Sequence, residues 1–218
     1  MTEALNFSQQ RGIFDPRLAR PITVIGVGSV GSKVVMDLAK LGCTEVTVWD
    51  DDEVLSHNIG TSAYRQELDI GRPKVVALAE MAQQAAGLAL TARRERYTGQ
   101  PLRDTVVSCV DSMDSRAAIW SVVRNNPFVD LFVDTRTAVE YLEVYAIRPC
   151  VPTDIDYYGE LMYPSSEAFL ANCGFHGAPY VSGAAAAIAV SRVVAWWRDG
   201  QIKRNMAASC GPFQEIIF

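Results

Sequence analysis

The sequence predicts an α/β fold in which a mostly parallel sheet carries helices on both faces and gains antiparallel strands in its C-terminal half. Three observations predict it. Short apolar runs without polar alternation recur between helical stretches from residue 22 to residue 133, as strands buried on both faces require. The first run ends in a glycine-rich turn that opens a helix. After Asp134 the grammar changes: Tyr141–Ile147 follows the preceding strand with no helix between them, a connection that suits antiparallel pairing.

In chain order, Ile22–Ile25 is the first strand, and Val30, Val34, Leu38 and Leu41 form one stripe of a helix that Gly42 closes. Val46–Trp49 is the second strand. Pro73 suits a first helical turn, ahead of Val75, Leu78, Ala79 and Ala82 on one face of a second helix. Leu88–Tyr97 reads as a strand, Thr105–Val110 as a buried strand, Met113, Ala117 and Trp120 as a helix face, and Phe128–Val133 as another buried strand. Ala187, Val190, Val194 and Trp197 mark a long helix over Val181–Trp197, and Pro212–Phe218 suits an edge strand. No linker, repeat or low-complexity run interrupts the chain, which predicts one domain over 1–218: an arm at 1–20, a core at 21–135, and an antiparallel and helical half at 136–218 on the substrate side.

Composition bounds the function. A chain of 218 residues with 49% hydrophobic content buries roughly 70–75% of its unfolded surface, which excludes wholesale disorder. A net charge of −5 has the wrong sign for phosphate neutralisation, so nucleic acid is not an expected ligand. The start lacks the basic and apolar regions of a signal peptide, and the apolar stretch Gly183–Val190 is too short to span a bilayer, so a soluble, cytoplasmic protein with no membrane partner is expected. Cys43, Cys109, Cys150, Cys173 and Cys210 are odd in number and form no Cys-x-x-Cys pair, which predicts a reduced setting without structural zinc.

Gly26-Val27-Gly28-Ser29-Val30-Gly31 is a G-x-G-x-x-G between a strand and a helix, the Rossmann-like placement in which backbone N–H groups and the helix dipole attract phosphate. Asp50 ends the second strand, nineteen residues after Gly31, where an acid accepts ribose hydroxyls. Such a site takes ATP or a nicotinamide dinucleotide. The alternative is a tight βα turn beside a solvated acidic loop.

Asp50-Asp51-Asp52-Glu53-Val54 leads to Ser56-His57-Asn58, Tyr64-Arg65-Gln66 and Asp69-Ile70-Gly71-Arg72-Pro73-Lys74, and a later strand ends in Cys109-Val110-Asp111-Ser112 with Arg116 beyond it. From Thr23 to Arg116 this resembles the adenylating enzymes of the ThiF, MoeB and HesA type, relatives of the ubiquitin-activating enzymes. Their pattern is a strand ending D-x-D, an Asn-led segment continuing to Arg-Gln, a G-x-x-K before a helix, and a strand ending C-x-D-N. The resemblance implies ATP-dependent adenylation of the C-terminal carboxylate of a ubiquitin-like protein or peptide, with ATP and Mg²⁺ as cofactors and a homodimer as the assembly. It implies that Gly26, Gly28, Gly31, Asp50 and Asp52 form the nucleotide site, that Asp50 binds ribose, that Asn58 and Lys74 meet the triphosphate, and that Asp111 holds magnesium. Taken singly, Lys74 also reads as a solvated helix lysine, Asp111 as a helix N-cap and Asn58 as a turn residue.

The sequence departs from that pattern at Gly60-Thr61-Ser62, which stands where Arg-Gln is usual. Arg11, in the segment from which relatives reach a partner's site, and Arg136, after the strand ending at Asp134, are candidate replacements; each also reads as a solvated arginine. Cys173, in Asn172-Cys173-Gly174-Phe175-His176, is placed like the cysteine that accepts the activated acyl group, with His176 able to lower its pKa; a spectator thiol is the alternative. Cys109 reads as core and His57 as a loop residue. The rival functions are a catalytically weak ATP-binding scaffold or sensor, and a nicotinamide-dependent oxidoreductase.

Overall fold

Apolar runs flanked by helices leave backbone groups that only neighbouring strands can satisfy, and in the computed structural model, which describes residues 6–167 and 177–211, they pair into one seven-stranded sheet. The strands are β1 (Ile22–Ile25), β2 (Val46–Trp49), β3 (Thr91–Arg93), β4 (Asp104–Ser108), β5 (Val129–Ala138), β6 (Tyr141–Ile147) and β7 (Asn205–Ser209). Their order is β3-β2-β1-β4-β5-β6-β7. The first five run parallel, β6 returns antiparallel to β5, and β7 pairs antiparallel with β6. The mixed architecture therefore matches expectation.

The helices are α1 (Ser29–Lys40), a single turn α2 (Gln66–Asp69), α3 (Lys74–Ala86), α4 (Met113–Val123), α5 (Pro152–Glu160) and α6 (Pro179–Asp199). Their apolar faces divide the core into two layers. Val34, Leu38, Val75, Leu78, Ala185 and Ala189 join α1, α3 and α6 to one face of the sheet. Ile119, Trp120, Ile155 and Tyr158 join α4 and α5 to Phe132 and Ile147 on the other. Gly87 and Gly200 end α3 and α6 in the left-handed conformation that glycine adopts without strain.

Several boundaries differ from the sequence reading. Only Thr91–Arg93 of the expected Leu88–Tyr97 strand pairs, because β3 is a short exposed edge beside β2. β4 ends at Ser108 rather than Val110. β5 runs on to Ala138, since its second half finds its partner in β6 rather than in the parallel strands. Three elements lacked a signal: α2 is a single turn, α5 is rich in Asp and Tyr, and β7 has no β-branched residue. The segment expected as an edge strand, Pro212–Phe218, lies outside the described residues. At 21 residues, with a mean hydropathy of 1.2, α6 is long and apolar enough to cross a bilayer, which corrects the length expected from its apolar stretch alone. Val181, Ala185, Ala186 and Ala189 are nevertheless fully buried in the core.

One ionic cluster joins α4, β5 and α5. Asp134 is fully buried and accepts hydrogen bonds from Arg116 Nε at 2.8 Å, Arg136 Nε at 2.9 Å and the Tyr158 hydroxyl at 2.9 Å. Arg116 Nη2 also donates to the Val110 and Thr135 carbonyls at 2.8 and 3.2 Å. Removing one partner from such a set strands the remaining charges. Asp134→Ala is expected to lower stability in urea by about 3–5 kcal/mol; a loss below about 1 kcal/mol would mean that both arginines find other partners.

Candidate functional site

Strand order reverses between β1 and β4, so the connections that leave their C-terminal ends diverge and open a crevice. The glycine turn lines it, and each glycine has its own reason. Gly26 has a φ of +83°, and a Cβ there would lie 2.7 Å from the Cys109 carbonyl oxygen. A Cβ on Gly31 would lie 1.9 Å from the Gly26 carbonyl oxygen, so α1 sits against β1 only because that atom is missing. Gly28 differs: a Cβ there meets nothing within 4 Å, and the backbone faces open space in which a phosphate could approach.

The segment from Asp50 to Lys74 is pinned along its length. Asp50 Oδ2 accepts the Val27 N–H at 2.8 Å and Oδ1 accepts the Asp52 N–H at 2.9 Å. Burial pushes the Asp50 carboxyl above its ordinary range, against the opposing pull of Lys74 and these two N–H groups. Each oxygen keeps a second lone pair with which a ribose hydroxyl could bond. Lys74 opens α3, and its ammonium stands 2.7 Å from Asp52 Oδ2 and 3.9 Å from Asp50 Oδ1 with the side chain 9% exposed. This excludes the solvated-lysine alternative. Backbone bonds from Lys74 to Asp52, from Val54 to Arg72 and from Gly71 to Val54 close the loop.

Tyr64, to which the sequence assigns no role, donates its buried hydroxyl to the Val27 carbonyl at 2.7 Å and lies 3.3 Å from the Lys74 carbonyl. It thus spans the glycine turn and the start of α3. Asp69 is fully buried between Arg65 and Arg72. Burial alone would raise its pKa, but the hydrogen bonds from Arg65 and the charges of both arginines outweigh it and hold the carboxyl below its ordinary range.

The remaining expected residues fall into distinct places. Asn58 is a turn residue in part: its Oδ1 accepts the Leu55 N–H at 2.8 Å and its carbonyl accepts Ser62 Oγ at 2.6 Å, which leaves its amide nitrogen for a ligand. Asp111 is exposed beyond the end of β4. Ser112, not Asp111, caps α4 by accepting the Ser115 N–H at 3.2 Å, so the Asp111 carboxylate stays free of that task. Carboxylate oxygens of Asp50, Asp51 and Asp52 lie within 4.8 Å of one another, but Asp50 is bound to backbone and Asp52 to Lys74. The exposed carboxylates of Asp51 and Asp111 carry no such bond among the described residues, and either could serve magnesium, a cation that takes few protein carboxylates and keeps its waters.

Arg11 lies far from this crevice. The arm packs at the C-terminal end of α1, where Gln10 Nε2 donates to the Leu41 carbonyl and Phe7 lies over Gly42. The 12 residues of α1 separate that end from the glycine turn by about 18 Å. Arg136 is committed to the fold: it binds Asp134, donates to the Leu161 carbonyl at 3.1 Å and stacks 4.9 Å from the Tyr145 ring. Cys109, expected inside a buried strand, lies just past the end of β4, partly buried against the core, and burial pushes its thiol up to about 12. His57 lies exposed in a 3-10 turn. Cys173 and His176 lie outside the described residues.

Two outcomes follow from the pinned loop. Tyr64→Phe leaves the Val27 carbonyl without its donor and is expected to cost about 1–2 kcal/mol in chemical denaturation; an unchanged midpoint would mean that water replaces the hydroxyl. Asp69 has a lowered folded-state pKa, so its contribution is present above the ordinary carboxylate range and is lost as pH falls through the folded value. Asp69→Asn is therefore expected to flatten the loss of stability on acidification below about pH 4, and an acid limb as steep as the parent's would remove Asp69 from that role.

A family model described as the ThiF family matches residues 17–130. Among curated relatives, the sulfur carrier protein ThiS adenylyltransferase of Escherichia coli strain K12 is 31% identical over 117 residues, covering 50% of this chain and 47% of the relative. The tRNA threonylcarbamoyladenosine dehydratase 1 of Saccharomyces cerevisiae is 26% identical over 116 residues, covering 48% of this chain and 27% of the relative. The chain thus spans less than half the length of either. Among solved structures, E. coli MccB with AMPCPP and MccA superposes with a TM-score of 0.66 at 15% identity, over 93% of this chain and 67% of that one, a likeness of fold.

Proposed function

Since the chain belongs to the ThiF family, matched over residues 17–130, we propose that it binds MgATP in the crevice between β1 and β4 and adenylates the C-terminal carboxylate of a small ubiquitin-like protein or peptide. The observation that carries this reading is the delivery of Lys74: a lysine 9% exposed, at the first residue of α3, fixed at the crevice by Asp52 and Asp50. A fixed cation beside a glycine turn suits a polyphosphate better than a solvated chain does.

In this reaction a carboxylate oxygen of the substrate forms a bond to the α-phosphorus of ATP, the bond from that phosphorus to the bridging oxygen breaks, and pyrophosphate leaves with the electron pair. The substrate carboxyl is already ionised at neutral pH, so no general base is required. The site has to position the carboxylate and balance phosphate charge. The open backbone at Gly28 and the N-terminus of α1 receive phosphate oxygens, Gly26 and Gly31 set the turn, and Asp50 accepts from ribose. Asn58 Nδ2 and Lys74 Nζ meet the triphosphate, and Asp52 holds Lys74 in place. Asp111 would hold magnesium, which when bound offsets phosphate charge and orients the chain.

Arg11 sits at the far end of α1 within its own chain, so it would act in catalysis only from a second copy, in the homodimer that the resemblance implies. Cys173 would then take the acyl group through its sulfur, with AMP leaving, as the thiolate that His176 favours. The likeness to an adenylyltransferase of the sulfur carrier protein ThiS supports a small-protein substrate. A cytoplasmic setting fits such a partner. Thr61 supports a second reading, an ATP-binding scaffold or sensor with slow turnover.

Exchange of pyrophosphate label into ATP in the presence of candidate C-terminal peptides tests the reading. Lys74→Ala is expected to slow exchange by about a hundredfold or more, and Asp111→Ala to abolish magnesium-dependent exchange; parental exchange in both variants would overturn the site. ATP binding without exchange for any peptide supports the scaffold, and protection from thermal unfolding by NADH rather than MgATP supports an oxidoreductase. Cys173→Ala is expected to leave exchange intact while removing the covalent acyl adduct seen by intact-mass spectrometry; an adduct that persists assigns the acceptor elsewhere.

A further inference from the structure

Lys33 lies one turn into α1 on the same face as Ser29, and helical side chains incline toward the N-terminus, here toward the glycine turn. Its ammonium donates to Ser182 Oγ at 2.6 Å and to the Pro179 carbonyl at 2.8 Å. Neither partner is anionic. Burial lowers the Lys33 pKa, and no neighbouring carboxylate offsets that cost. Among the described residues it forms no ion pair, whereas Lys74 has two carboxylates within 4 Å.

Its surroundings add positive potential. Ser29 and Ser182 occupy the first turns of α1 and α6, so the positive ends of two helix dipoles meet beside the ammonium. Ser29 Oγ and Ser182 Oγ both bond to the Thr61 carbonyl, at 3.0 and 2.9 Å. Lys33 is thus one hydroxyl removed from Thr61, in the loop where no side chain carries positive charge between Asn58 and Arg65. A half-buried cation in a positive corner is disfavoured until an anion joins it.

We propose that Lys33 is a second phosphate-contacting cation of this site: on nucleotide binding its ammonium leaves Ser182 and Pro179 for the outer phosphates, where it offsets the charge gathering on departing pyrophosphate. This rests on the adenylation reading and adds to it a catalytic residue on α1. It also explains how a chain with Thr61 could still turn over.

The test is calorimetric titration of the parent, Lys33→Met, Lys33→Arg and Lys33→Gln with MgATP and with AMP, alongside pyrophosphate exchange. Lys33→Met keeps the apolar stem and is expected to weaken ATP roughly tenfold or more while AMP affinity stays within about twofold; Lys33→Arg is expected to retain most ATP affinity. Lys33→Gln, which keeps a donor near Ser182, gives the same selective loss if Lys33→Met folds poorly. Parental ATP affinity in both neutral variants, or equal losses for ATP and AMP, overturns the proposal alone. A parent that binds neither nucleotide overturns the adenylation reading together with it.

Discussion

The carboxylate of Asp50 is the constraint on which the crevice depends. It lies largely buried at the end of β2, where ionisation is costly, and it is held by the Val27 and Asp52 N–H groups with Lys74 nearby. The Val27 bond ties the glycine turn to the neighbouring strand, and the Asp52 bond starts the loop that returns at Lys74. Without it the turn and the start of α3 are joined only through the Tyr64 hydroxyl. The desolvation cost of this acid is only partly offset by three partners, each of which belongs to a different part of the site.

The sheet supplies the rest of the frame in two layers. α1, α3 and α6 cover one face and hold the crevice loop through Ser29, Ser32 and Ser182, which bond to Thr61 and Ala63. α4 and α5 cover the other, where the Asp134 cluster carries the paired charges of Arg116 and Arg136. Arg136 illustrates how similar residues take unlike tasks: an arginine near a strand end is read as a candidate for phosphate, yet its ring stacking and carboxylate bond make it part of the core.

Most of the frame was legible because its residues serve local geometry. Ile22–Ile25 and Val46–Trp49 are apolar runs of strand length, Gly26 and Gly31 are forced by backbone approach, and Lys74 follows a proline at a helix start. What was not legible depends on distant partners. Tyr64 looks ordinary until its hydroxyl reaches Val27, thirty-seven residues away. α5 forms because Ile155 and Tyr158 find Phe132 and Trp120, not because its own sequence favours a helix. The Arg11 candidate shows the same limit, since position in the chain does not reveal that its arm packs behind α1.

The contrast among the three glycines has a practical consequence for dissecting the turn. At Gly26 and Gly31 the atom that a side chain would displace belongs to the protein's own backbone, so any replacement confounds misfolding with lost recognition. Gly28 alone has vacant volume beside it, although its φ of −75° is combined with a ψ of −134° outside the regions that residues with a Cβ favour. An added methyl there touches no protein atom, so what it obstructs arrives from solvent, and its effect separates from that of the backbone only by comparison with the protein's own stability.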